Sequence, residues 1–330
     1  LNSDGILDYN PLIQNKYGDF SISSLMIRTA FDQSEESQSE TFDKFSQNRI
    51  VIAQRLAGVP VNPNATEYPE GYGPTNQSVL LPAFVAAYTG QDASSVSTAI
   101  FRDTPIPNWT LKYTGLMRIG WFKDNFRRFS LAHGYRSSYS INSFRSNLDY
   151  GQGSQFDQAG NFKNPLLITN ATLVEQFNPL IRVDFEMANS LSVLAEVRKD
   201  RALSLSFDNN LLTEMSGNEY VVGLGYRIPN IRFVTHLGGR RSVMSGDLNL
   251  KADLSLRDNI TVIRNLDINT NQVTAGQNIW ALKFTADYAL SKNLTALFFY
   301  DHTFSEFKVS TAFPQTTIRT GFTLRYNFGN

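Results

Sequence analysis

The chain has 330 residues, 30 basic and 30 acidic side chains, and no cysteine. The charge balance argues against a binder of phosphate backbones, and the missing thiols exclude disulfides, thiolate metal sites and cysteine nucleophiles. A mean hydropathy of -0.26 and the lack of any run near ~18 apolar residues exclude a helical membrane protein, but not a membrane β-barrel, in whose wall only alternate residues meet lipid.

The start at Leu1, with a turn-like Asn2-Ser3-Asp4-Gly5 and no basic and apolar leader, reads as a processed chain or a piece of a longer one. Residues 21–31 are a first strand with poor alternation. Residues 32–107 form an insertion. In it, Ser37-Gln38-Ser39-Glu40 has the spacing of a capping box. Phe42, Phe45, Ile52, Ala53 and Leu56 follow at helical spacing, and Gly58 with Pro60 ends the run. Residues 59–74 read as loop, and a second short helix starts near Ser78 and includes Phe84, Ala86 and Ala87. This insertion is an outside cap or a lumen-filling segment.

Beyond it, apolar residues recur at every second position, the signature of strands. Trp109, Leu111 and Tyr113 form a short one. Residues 116–128 mix Trp121, Phe122 and Phe126 with Arg118, Lys123, Arg127 and Arg128, as an interfacial helix or a solvated basic turn would. Phe129, Leu131, Tyr135, Tyr139 and Ile141 share one parity. Ile181 to Met187, then Val193, Ala195 and Val197, then Leu203 and Leu205, repeat the pattern. Tyr220, Val222, Leu224, Tyr226 and Ile228 oppose Glu219, Gly223, Gly225 and Arg227. Leu248, Leu250, Ala252, Leu254 and Leu256 oppose Asn249, Lys251, Asp253, Ser255 and Arg257. Trp280, Leu282, Phe284, Ala286 and Tyr288 oppose Lys283, Thr285 and Asp287. Residues 294–304 are a strand with blurred faces. Ile318, Thr320, Phe322, Leu324, Tyr326 and Phe328 oppose Arg319 and Arg325.

These make about ten strands of ~9–11 residues, the length that crosses a bilayer when tilted. Asn189-Ser190 and Ser291-Lys292-Asn293 are tight turns. Residues 149–179, 208–216, 258–277 and 305–316 read as long connections at the opposite end, and 115–128 and 229–245 as periplasmic connections longer than simple hairpins. Short turns on one side and long loops on the other describe an outer-membrane barrel. Its lumen-facing residues are Asn249, Lys251, Asp253, Ser255, Arg257, Lys283, Asp287, Arg319 and Arg325. Its lipid-facing or girdle residues are Trp109, Tyr226, Trp280, Tyr288, Phe322, Tyr326 and Phe328. The competing reading is a soluble sheet whose polar face meets bulk water. His133, His236 and His302 have no metal-ligand spacing, no serine motif supports hydrolysis, and no cofactor motif sits in a βαβ unit. The chain reads as a non-enzyme without catalytic, cofactor-binding or metal residues.

Several strings resemble one family: Ser39-Glu40-Thr41-Phe42 leading to Asn48-Arg49-Ile50-Val51-Ile52-Ala53, Gly71-Tyr72-Gly73-Pro74 with Leu81-Pro82-Ala83-Phe84 and Ala87-Tyr88, Pro107-Asn108-Trp109, His133-Gly134-Tyr135-Arg136-Ser137, Leu224-Gly225-Tyr226-Arg227-Ile228, and the tail from Phe313-Pro314-Gln315 to Tyr326-Asn327-Phe328-Gly329. They are similar to the C-terminal part of the SprA/Sov family, the outer-membrane translocon of the Bacteroidota type 9 secretion system. The resemblance implies an all-β transmembrane barrel in the bacterial outer membrane, of roughly 36 strands in the whole protein, of which this chain is the closing arc of about ten antiparallel strands with a helical loop insertion. It implies export of folded cargo bearing a C-terminal signal. The implied partners are membrane lipid, the remainder of the same giant barrel, a PorV-type partner barrel and a periplasmic plug protein, with no nucleic acid. The alternative is a self-contained ten-strand porin or small transporter.

Overall fold

The computed structural model describes residues 15–32, 39–237, 240–268, 270–291, 293–309 and 312–328. It is mostly β: one ten-stranded antiparallel sheet, with a short helical region near the N-terminal side. The strands are β1 (Tyr17–Ser23), β2 (Trp109–Tyr113), β3 (Phe126–Ser146), β4 (Leu166–Met187), β5 (Leu191–Ser206), β6 (Leu211–Leu237), β7 (Arg240–Asn265), β8 (Thr270–Ala289), β9 (Leu294–Phe307) and β10 (Gln315–Tyr326). From β3 onward each strand pairs with the next in sequence. The sheet is not closed: among the described residues β10 pairs only with β9, and the other edge ends at β1 and β2.

That first edge is one strand in two pieces. β1 pairs with Ser138–Arg145 of β3, and β2 pairs with Leu131–Tyr135. β4 occupies the opposite side of β3 along the same residues, so β1 and β2 share one side. Ser24 N–H reaches Ser137 O at 3.0 Å, and Ile106 N–H returns to Ser23 O at 3.3 Å. Residues 24–108 therefore leave the edge strand and re-enter it at the same point. The insertion starts earlier than the sequence predicts, because Ser24 to Phe31 turns off the sheet through a 3-10 turn at Ile27–Thr29.

The insertion carries α1 (Glu40–Ala57) and α2 (Gln77–Thr89). Ser39 caps α1 by accepting from Phe42 N–H at 3.3 Å, and Gly58 ends it in the left-handed region at φ 68°. Ser37, the expected capping residue, lies outside the described residues. Asn76 caps α2, whose residues are buried all round. A helix apolar on every side must be enclosed, and α2 shares one buried cluster with α1 and the sheet. Phe45, Ile52, Phe84 and Tyr88 pack there on Tyr139, Ile141, Leu173, Leu203, Leu205 and Leu212.

The strands run much longer than the alternation predicts. β4 has 22 residues, β6 has 27 and β7 has 26. Most of the expected loops 208–216, 229–245 and 258–277 are ladder, and β4 already begins at Leu166. The remaining connections at that end, other than residues 147–165, are short, so the expected loop asymmetry is largely replaced by strand extension. Around Glu214–Asn218, Asp258–Thr261 and Asn271–Gln277 polar residues occupy most positions on both faces, with Met215, Ile260, Val273 and Ala275 the apolar exceptions, which blurs the hydrophobic period. The backbone groups still need partners, and the ladder supplies them. Pro229 falls in the register shift between Ile228 and Ile231, where its missing N–H costs no ladder bond. Gly134 faces a similar shift in β4, and a Cβ there would stand 2.7 Å from Asn178 O.

Candidate functional site

The register sorts the sheet into two chemically opposite faces. Val193, Leu224, Ala252, Phe284, Tyr300 and Thr320 form one row across β5 to β10. On this face one neighbouring row holds Val222, Leu254, Leu282, His302 and Ile318, the next beyond it Tyr220, Leu256, Trp280 and Phe304, and the neighbouring row on the other side Tyr226, Leu250, Ala286, Phe298 and Phe322. These side chains stay open: Leu224 is 50% exposed and Phe322 64%. A soluble protein rarely leaves so broad an apolar patch uncovered. From Leu248 to Leu256 the band runs ~27 Å along the strand at ~3.4 Å per residue, or ~21 Å when tilted by ~40°, close to the ~25 Å apolar band of outer-membrane barrels.

Aromatic residues mark both limits of this band. Tyr220, Trp280 and Phe304 share its upper row, and Trp280 stacks on Phe304 with centroids 5.6 Å apart. Tyr226, Tyr288 and Tyr326 stand at the tight-turn side, and Phe328 lies exposed just past β10. The Tyr288 hydroxyl donates to Ile231 O at 3.0 Å. Trp109 sits apart from them, stacked on Tyr135 at 4.6 Å beneath the insertion.

The other face is charged. Leu194, Gly223, Asp253, Lys283, Asp301 and Arg319 form one row, so four charges of alternating sign cross β7 to β10. Arg319 reaches Asp301 at 3.1 Å. Asp301 escaped the sequence reading because Phe298 and Phe299 blur the parity of β9, although its opposition to Arg319 follows once the register is known. Lys251 stands beside Gly225 and Thr285, Asn249 beside Arg227 and Asp287, Ser255 beside Val221 and Ala281, and Arg325 beside Thr295. Gly223 leaves room for the Asp253 carboxylate, whose Oδ1 would be 2.5 Å from a Cβ there.

Toward β3 the same face carries an unbroken chain of ion pairs. Arg128 meets Asp184 at 3.0 Å, Asp184 meets Arg182 at 3.2 Å, and Arg182 meets Glu196 at 3.4 Å. Glu196 meets Arg198 at 2.5 Å, Arg198 meets Glu219 at 3.1 Å, and Arg257 links Glu219 to Asp200 at 3.7 and 3.3 Å. Of these, only Arg257 was expected in the site. Such an array presents charge of both signs while each pair is locally neutral, so it holds water without attracting one sign of solute.

The insertion stands on the apolar face, not the charged one. β5 has no register break toward β6, so Leu203 and Leu205 under the helices share a face with Val193, Ala195 and Val197 of the band. Two buried ion pairs form the floor beneath it. Arg201 meets Glu175 at 3.2 Å and also donates to Thr29 O and Oγ1 at 2.9 Å. Glu175 accepts from the Tyr135 hydroxyl at 2.8 Å, and Tyr135 accepts from Met26 N–H at 2.8 Å. Arg264 meets Glu214 at 3.0 Å with its guanidinium over the Phe42 ring. Burial in α2 pushes the Tyr88 phenol well above its ordinary range, so it stays neutral under Arg201.

His133 Nδ1 lies 2.6 Å from Leu180 O, and His302 packs edge-on against Trp280. The His236 side chain lies outside the described residues. Among the described residues no group of three His, Asp or Glu could hold a metal ion. No helix is long and apolar enough to cross a membrane, which says nothing of strands. No protein-family model matches the chain, and no curated protein matches it.

Proposed function

We propose that this chain is an arc of wall in an outer-membrane protein-conducting barrel, with its apolar face in lipid and its charged face toward an aqueous lumen. The observation that carries the reading is the register itself. It puts a band of membrane height on one face and balanced charge on the other, strand after strand. The open edges favour an arc over a self-contained porin. β10 is a long edge strand with exposed apolar side chains, a surface that a soluble protein would shield. Further strands of a larger barrel would pair with it and satisfy its backbone, as a bilayer demands.

On this reading the insertion neither fills the lumen nor roofs it. It leans on the outer side of the wall, beyond the lipid band. The lumen passes folded cargo with a C-terminal signal, and its mixed charge keeps any one cargo from adhering. A PorV-type barrel would meet the wall from the lipid side and a plug protein from the periplasm.

The chain has no cysteine, so single cysteines give a clean test. Lys251→Cys and Asp253→Cys should react with a charged maleimide that enters only through water, and Leu254→Cys should not. Equal labelling at all three positions would sink the two-faced wall. If the labelling holds but a bulky adduct at position 253 leaves cargo export unchanged, cargo does not pass beside this wall and the protein-conducting reading fails while the two-faced wall stands.

A further inference from the structure

The connector between β2 and β3 sets free positive charge beside uncovered apolar side chains. It holds a 3-10 turn, Gly115–Arg118, and a short helix, α3 (Gly120–Asn125). Asn125 O accepts from Ala188 N–H at 3.1 Å, which fixes the connector to the β4–β5 turn. Trp121, Phe122, Phe126, Phe129 and Phe185 form a continuous ring cluster, with neighbouring centroids 4.9 to 5.9 Å apart. Phe129 and Phe185 belong to the apolar face, so the cluster continues the band at its tight-turn limit. Trp121 is nevertheless 63% exposed, and Tyr113 and Ile119 are more than half exposed.

The cations here divide into two kinds. Arg127 and Arg128 are held by Glu186 and Asp184. Arg118 and Lys123 are exposed and enter no ion pair among the described residues, and Asp124 is the one acid between them and β3. Rings at the edge of an apolar band, with unneutralised cations beside them, match the headgroup layer of a bilayer, where rings lie among the ester groups and cations meet phosphates.

We propose that this connector docks anionic phospholipid headgroups, of the phosphatidylglycerol kind, in the leaflet at the tight-turn end of the wall. Trp121 enters the headgroup layer, and Arg118 and Lys123 meet its phosphates. The proposal rests on the reading that the apolar face meets lipid.

The test uses the full-length protein that carries this wall, purified in detergent. It is relipidated from vesicles of phosphatidylcholine alone or mixed with phosphatidylglycerol, and the retained lipid is read by native mass spectrometry. The unaltered protein should retain phosphatidylglycerol preferentially, less so at high salt. Arg118→Gln with Lys123→Gln should lower that preference about fivefold per lost charge. Trp121→Ala should lower retention of both lipids. An unchanged preference in the double variant overturns the proposal, as does a photocrosslinker at position 121 that captures a protein in place of lipid. Membrane integration is scored separately. Release by alkaline carbonate without detergent overturns the lipid-facing reading itself, whereas an integrated protein without lipid preference overturns only the anchor.

Discussion

Arg201 of β5 donates to Glu175 of β4 at 3.2 Å, and the same guanidinium holds Thr29 at the root of the insertion. One cation thus joins two strands of the sheet to the segment lying on them. Removing one partner of a buried pair leaves a charge without compensation and costs ~3–5 kcal/mol. Glu175→Leu should therefore loosen the insertion, seen as faster amide exchange in α1 and α2 with the β7–β8 ladder unchanged. Arg201→Met, which also removes both bonds to Thr29, should loosen the insertion at least as much. Unchanged exchange in α1 and α2 in the Arg201→Met variant would show that this cation does not hold the insertion.

Leu254 and Ser255 are neighbours in sequence and opposite in environment. Near the middle of the band, Leu254→Arg should cost ~2–4 kcal/mol of folding into vesicles, while Ser255→Arg on the wet face should cost little. Denaturant titration in lipid measures both. Equal penalties would mean that the two faces meet the same medium.

On the proposed function, the row Asp253, Lys283, Asp301 and Arg319 would bear on transport more than on stability. Arg319 is largely exposed, so Arg319→Ala should change stability by less than ~1 kcal/mol. Changing Asp253 and Asp301 together to Lys turns the row into a one-sign strip. Export should then fall for basic cargo while the protein remains inserted. A similar export level for acidic and basic cargo would argue against a lumenal position.

Gly134 is required by close approach rather than by backbone angle. Gly134→Ala would press a methyl against Asn178 O and should cost ~1–3 kcal/mol through strain at the β3–β4 register shift. Gly120→Ala, with open space around it, serves as the control. Thermal unfolding of the two variants separates steric strain from a general effect of added bulk.

The parity of the strands was legible because it is local. Leu248 to Leu256 and Ile318 to Tyr326 alternate within a few residues, and lipid or core on one side with water on the other is enough to write that pattern into a chain. The helices of the insertion were legible for the same reason, through apolar spacing and the stop at Gly58. The strand extensions were not, since a ladder in water needs only backbone partners and leaves both faces free to be polar. Asp301, Asp184 and Glu196 were missed as site residues because their partners lie on other strands, and only register brings them together.

Composition by itself determined that the chain has no thiol chemistry, and the order of its apolar residues that it has alternating strands and no run long enough for a membrane helix. The neutral total gave no hint that Arg128, Asp184, Arg182, Glu196, Arg198, Glu219 and Arg257 pair in a chain across strands, a fact that required the register. The tertiary structure also decided where the insertion stands. Sequence could offer a cap or a lumen filler, but the unbroken parity of β5 places Leu203 and Leu205 on the side of Val193 and Val197, because a strand without a bulge cannot change the face its alternate side chains address.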